Sequence, residues 1–140
     1  MKNANDKRSV RLLYFTDSTH CRWGYDSEAF LFSFVNEPGW APVKLNQSGY
    51  YAYAGPQYAI YSCSNYGPTF GAGHDIYIAN NAAYSSSSRS NLYTFRPLSG
   101  YGSTSFLAGS YYFTPDEIET FFYKTFILEG EILFYFSFIY

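Results

Sequence analysis

Residues 29–35 read Ala-Phe-Leu-Phe-Ser-Phe-Val. Phe30, Phe32 and Phe34 recur at every second position, with Leu31, Ser33 and Val35 between them. A period of two places alternate side chains on opposite faces of an extended chain. The stretch therefore reads as a strand with one wholly aromatic side, and that side is expected to be core. The same alternation spreads outward along the chain. Residues 58–63 set Tyr58 and Ile60 against Ala59 and Tyr61. Residues 74–78 set Ile76 and Ile78 against Asp75 and Tyr77. Residues 92–96 set Tyr93 and Phe95 against Leu92 and Thr94. Residues 105–113 form the longest such run, with Leu107, Tyr111 and Phe113 opposite Phe106, Ala108 and Tyr112.

Turn chemistry separates these runs. Asn36-Glu37-Pro38-Gly39 follows the first, and Ala54-Gly55-Pro56 precedes the second. Tyr66-Gly67-Pro68 and Gly71-Ala72-Gly73 bracket Phe70. Residues 80–90, with four consecutive serines at 85–88, read as a loop. Thr114-Pro115-Asp116-Glu117 carries the pattern of a capped helical turn, Thr at the cap and Glu three residues on. Short strands at this spacing predict an all-β fold, a β-sandwich of two antiparallel sheets with short flanking helical turns.

Composition agrees. The 140 residues include 17 tyrosines, 14 phenylalanines and two tryptophans, so that aromatics make up 24%. Aromatic residues favour pleated, half-buried surfaces. Charged residues are 14% and the net charge is −2. Such a chain has no basic field with which to grip phosphates, which argues against nucleic-acid binding. No uninterrupted apolar run reaches the ~18 residues of a membrane span. The apolar stretch at 10–15 is short and interrupted by Arg11, so no secretory signal is read there. The chain is expected to be intracellular and cytoplasmic, and its two cysteines, Cys21 and Cys63, are expected to be free thiols.

Read in order, several segments resemble the TLDc domain of oxidation-resistance and nuclear-receptor-coactivator-like proteins. They are Phe30-Leu31-Phe32-Ser33-Phe34, Trp40-Ala41-Pro42-Val43-Lys44-Leu45 and Tyr58-Ala59-Ile60-Tyr61. Gly67-Pro68-Thr69-Phe70-Gly71-Ala72-Gly73-His74-Asp75-Ile76 follows. Phe106-Leu107-Ala108-Gly109-Ser110 and Phe113-Thr114-Pro115-Asp116-Glu117-Ile118-Glu119 complete the set. Their order and spacing carry the resemblance, which covers residues 23–121. Residues 1–22 then read as a charged segment, the remnant of a truncated start. Residues 122–140 read as an unmatched apolar tail and an aggregation hazard if unpaired. The resemblance implies a β-sandwich that acts by binding proteins, with a role in oxidative-stress protection and binding to vacuolar proton-ATPase subunits. It implies no accepted reaction and no cofactor. Gly67, Pro68, Phe70, Gly71, Gly73, Asp75, Gly109 and Ser110 are its structural motif positions.

Few residues invite chemistry. Gly71-Ala72-Gly73 lacks the following residues of a nucleotide loop and reads as a turn. Asp75 is the lone charge between residues 45 and 88, so a buried Asp75 must be hydrogen-bonded; a structural role on backbone amides is preferred. A hydrolase or antioxidant would have to draw on Asp75, Glu119 or Cys21, yet no serine sits in a nucleophile elbow. His20, Cys21, Cys63 and His74 lack the paired spacing of a metal site. Asp116, Glu117 and Glu119 form an acidic cluster, the candidate partner contact. Tyr, Asn, Gly and Trp also suit a carbohydrate-binding sandwich, with Trp23 and Trp40 as the first stacking candidates.

Overall fold

The computed structural model describes residues 7–13, 21–33, 39, 41–48, 55–96, 102–123 and 133–139. Strands dominate, and two antiparallel sheets make up the fold. The strands in chain order are β1 (Lys7–Leu13), β2 (Arg22–Gly24), β3 (Phe30–Ser33), β4 (Val43–Asn46), β5 (Ile60–Ser62), β6 (Thr69–Phe70), β7 (Ile76–Tyr77), β8 (Ser88–Ser90), β9 (Tyr112–Phe113), β10 (Glu117–Tyr123) and β11 (Leu133–Ile139). The five-stranded sheet runs β10-β11-β1-β3-β4 and the six-stranded sheet runs β2-β5-β6-β7-β8-β9. Single 3-10 turns occupy Pro56–Tyr58 and Ala82–Tyr84.

One apolar cluster joins the two sheets. Leu31 and Leu45 enter it from the five-stranded sheet, and Ile60, Phe70, Ile76 and Phe113 from the six-stranded one. Leu31 and Leu45 face each other across the β3–β4 ladder. Leu92, Phe95, Phe106 and Leu107 reach the same cluster from connecting segments. Apolar area removed from water at this seam drives the two sheets together.

Local structure departs from the expectations of the sequence at several places. In β3, Leu31 and Ser33 are buried while Phe30 and Phe32 are half-buried. The phenylalanine side of this strand therefore faces outward, where the Lys44 Nζ caps the Phe30 ring at 4.1 Å. Alternation distinguishes two faces of a strand, but the partner sheet selects which one is core. Phe34 lies outside the described residues.

Residues 92–96 form no strand. Leu92, Thr94 and Phe95 are all buried, and a single bridge pairs Phe95 with Gln47. Residues 103–108 are turns, closed by Gly109 N–H donating to the Ser105 carbonyl at 2.8 Å, and only Tyr112 and Phe113 pair as strand. Phe106 and Leu107, adjacent in the chain, are both buried in the same apolar cluster, as a turn allows and a strand with one solvated face would not. Residues 114–116 lead directly into β10 without a helical turn, because the segment from Glu117 pairs with β11 over seven residues.

Within the apolar tail, Leu133–Ile139 is paired on both sides. β11 lies between β10 and β1, with Phe136 opposite both Thr120 and Val10. Its backbone is satisfied within the sheet, so it presents no open edge. Serines expected in a loop supply β8 at 88–90.

The position of the core generates a test. Leu31→Ala is expected to cost about 2–5 kcal/mol, and Phe32→Ala less than half as much. Urea unfolding of both variants, monitored by near-ultraviolet circular dichroism, checks the order; a larger loss for Phe32 would place the core on the opposite face of β3.

Candidate functional site

The six-stranded sheet is built with two unlike faces. Inward, Ile60, Phe70, Ile76 and Ser90 stand opposite one another across β5 to β8, and all are buried. Outward, the ladder registers continue one line of residues through all six strands. Trp23 pairs with Tyr61, Tyr61 with Thr69, Thr69 with Tyr77, Tyr77 with Arg89 and Arg89 with Tyr112. Directly opposed residues of antiparallel strands share a face. With strands about 4.8 Å apart, this row spans roughly 24 Å.

Thr69 is the one small residue in the row, and it is buried. Two side chains from connecting segments occupy the room it leaves. The Tyr66 ring stands edge-on to Tyr61 at 5.4 Å and to Tyr77 at 5.1 Å. The His74 imidazole stacks on Tyr61 at 5.5 Å and on Tyr77 at 6.2 Å. Trp23 extends the array, 4.8 Å from Tyr61 and edge-on to Tyr58 at 5.4 Å. Trp23, Tyr61, Tyr66, His74, Tyr77 and Arg89 are half-buried, and Tyr112 is 59% exposed.

Arg89 lies over the Tyr77 ring, 4.9 Å from its centroid, a cation–π contact. Its guanidinium is 2.9 Å from His74 Nδ1. A guanidinium only donates, so Nδ1 accepts and the neutral ring carries its proton on Nε2. Burial, and then the neighbouring Arg89 charge, hold the His74 pKa below its usual value. Among the described residues Arg89 has no carboxylate partner. His74 is also the one non-glycine residue among them with positive φ, at 54°, a left-handed conformation that costs energy and persists where its surroundings fix it.

Asp75, the next residue, points the other way and supplies that fixing. It is 0% exposed. Its Oδ2 accepts the Tyr93 and Phe95 N–H groups at 2.6 and 2.7 Å, and its carbonyl accepts the Asn91 N–H at 3.1 Å. Burial pushes its pKa up to about 6, partly offset by the hydrogen bonds from the backbone of Phe95, Tyr93 and Thr94. Gly71, at φ +76°, approaches the carboxylate so closely that a Cβ there would overlap Oδ1. Gly67 likewise permits the backbone at Ile78 to approach, where Ile78 N–H donates to the Pro68 carbonyl at 2.9 Å. Gly73 packs on Tyr93, and Phe70 is core. Gly109 closes its turn as described, and Ser110 Oγ donates to the Tyr112 carbonyl.

The chemical candidates do not converge. Asp75 is sealed beneath the sheet while His74 stands on its outer side. Cys21 and Cys63 are joined in a disulfide, which overturns the expectation of free thiols. The reason is register: Arg22 pairs with Ser62, so the next residues outward oppose each other, with Cα atoms 4.2 Å apart. A bridged Cys21 is no nucleophile. Among the described residues no group of three His, Cys, Asp or Glu side chains could hold a metal; His20 lies outside them. Asp116 and Glu117 are exposed at the start of β10, and Glu119 pairs with Ser137 within the sheet. Trp40 lies outside the described residues. A polar cleft of 440 Å³ lies apart, on the five-stranded sheet, lined by Ser27, Glu28, Lys44, Asn46 and Gln47 among others. The aromatic row could not be assembled from the sequence, since its members lie on six strands whose registers are tertiary facts.

No helix among the described residues is long and apolar enough to cross a membrane. Comparison of the chain with family models, curated proteins and solved structures gives no match.

Two measurements test this construction. Asp75 binds its proton more tightly in the native state than when unfolded, so between pH 3.8 and about 6 stability falls as pH rises, and above that window the cost is fully present. The difference corresponds to about 3 kcal/mol. The stability of the native sequence relative to Asp75→Asn is therefore expected to drop by about that amount from pH 3.5 to pH 7; a flat difference would refute a buried, raised carboxyl. The disulfide closes a separation of 42 residues. Reduction, or the Cys21→Ser, Cys63→Ser pair, is expected to cost about 2–4 kcal/mol, read from denaturant curves with and without dithiothreitol.

Proposed function

We propose that the chain is a non-enzymatic protein-interaction domain of TLDc type, acting in oxidative-stress protection through binding to vacuolar proton-ATPase subunits. The ordered motifs between residues 30 and 119 support the family reading, and a two-sheet antiparallel fold is what that resemblance implies. The observation that carries the interaction reading is the aromatic row with Arg89. It joins partly exposed aromatic groups to a cation with no acidic partner among the described residues, the composition of a recognition surface. A hydrolase or antioxidant using Asp75, Glu119 or Cys21 gains no support, with Asp75 sealed and Cys21 bridged.

A carbohydrate-binding sandwich is the second reading, favoured by Trp23 and its ring neighbours at one end of the row. A glycan array separates the two. A cytoplasmic place, which the family reading brings with it, requires the Cys21–Cys63 bond to persist against a reducing thiol pool; thiol labelling in cells reads its state directly.

Residues 1–140, immobilised and exposed to an extract containing the assembled pump, are expected to retain a pump subunit, with a full-length TLDc protein as positive control. Failure to retain any subunit while the control succeeds would overturn the proposal.

A further inference from the structure

We propose that the outward row Trp23–Tyr61–Tyr77–Arg89–Tyr112 binds an extended acidic peptide segment of a partner protein, with Arg89 pairing to one carboxylate and the rings on either side covering neighbouring apolar side chains. This inference rests on the reading of the chain as a protein-interaction domain and names what its surface takes.

Arg89 brings a fork of N–H groups, of which one is directed at His74 Nδ1. The His74 Nε2–H and the Trp23 indole N–H add donors, and the tyrosine hydroxyls serve either way. No Asp, Glu, Asn or Gln stands in the row or in the two residues inserted over Thr69. Donors and positive charge therefore outweigh acceptors, which matches a ligand carrying acceptors and negative charge. A neutral sugar, whose hydroxyls also need acceptors to donate to, would find them here only in the tyrosine hydroxyls, and would leave the Arg89 charge unpaired.

The geometry of Arg89 favours a carboxylate. Its guanidinium is held between the Tyr77 face and the His74 ring, so its orientation is set before any ligand arrives. A pre-oriented planar fork matches a carboxylate through two parallel hydrogen bonds. The His74 ring is held neutral, so it orients Arg89 without adding a competing charge, and its left-handed backbone is the strain that places it there. On one side of Arg89 stand Tyr77 and Tyr66; on the other stands Tyr112, packed edge-on against Tyr111 at 4.7 Å. A row of roughly 24 Å accommodates about seven extended residues at ~3.3 Å each.

The test uses the full chain. An array of decapeptides built from Glu, Phe, Leu and Ser is probed beside the same sequences with Lys in place of Glu, and the strongest binders are titrated by fluorescence anisotropy. Glu peptides are expected to bind and their Lys counterparts to fail, with affinity falling between 0.05 and 0.5 M NaCl. Arg89→Ala is expected to weaken binding at least tenfold, and Arg89→Lys several-fold through loss of the fork. Tyr112→Ala, at an exposed site where folding is unaffected, is expected to weaken it several-fold with an unchanged melting curve. In a Trp40→Phe background, Trp23 fluorescence should shift on binding. Equal binding of Lys peptides, indifference to both Arg89→Ala and Tyr112→Ala, or binding of heparin alone would overturn the inference. If no peptide binds while the pump subunit is still retained, this inference falls and the interaction reading stands; if neither binds, both fall.

Discussion

The buried carboxylate of Asp75 ties together the parts of this molecule that matter for recognition. Two amide hydrogens from Tyr93 and Phe95 converge on one oxygen, although these residues lie about twenty positions along the chain. The bond fixes the turn at 71–75 against the segment at 91–95. That segment in turn joins the other sheet, since Ser48 N–H donates to the Thr94 carbonyl at 2.7 Å and Gln47 bridges to Phe95. The Ala72 N–H, donating to Thr94 Oγ1 at 2.8 Å, reinforces the same seam. One ionisable group in an apolar interior thus links both layers, and its desolvation is a cost the fold sustains to hold the link.

The consequence appears on the far side of the sheet. His74 and Asp75 are consecutive, and the orientation of one constrains the other. With Asp75 committed inward, His74 is carried outward into the gap above Thr69, in a backbone conformation that an isolated histidine would avoid. There it stacks between Tyr61 and Tyr77 and orients Arg89. A structural carboxylate and a surface guanidinium are in this way coupled through a single peptide unit. The surface is therefore organised by the core beneath it, which suits a rigid recognition face better than a mobile loop.

The two sheets distribute their residues by the same logic. Ile60, Ile76, Phe70 and Phe113 of the six-stranded sheet meet Leu31 and Leu45 of the other layer, while its tyrosines and Trp23 lie on the outside. Aromatic groups tolerate this half-buried position because each has a large apolar body, and Tyr and Trp also carry a polar group that can remain wet. A chain with few charged residues obtains its solvent-facing polarity from such groups. The disulfide closes the edge of the same sheet, where β2 contributes only three residues and would otherwise hold its place weakly.

Much of the class of this fold is legible in the residues alone. Period-two alternation, aromatic content and Gly-Pro punctuation specify strands and turns through local sterics, and they do so correctly at 30–33, 60–62 and 76–77. The lone charge of Asp75 in an uncharged stretch already demands hydrogen-bonded burial. Tertiary structure decided the rest. It selected the leucine side of β3 as core, since both faces of that strand are apolar and only the partner sheet distinguishes them. It folded 103–108 into turns despite their alternation, because pairing with β8 reaches only Tyr112 and Phe113. It brought Cys21 to Cys63 by register, and it aligned Trp23, Tyr61, Tyr77, Arg89 and Tyr112 by five successive pairings. Local sequence fixes which way a side chain alternates within its own strand; which strands become neighbours, and in what register, depends on contacts between residues far apart in the chain.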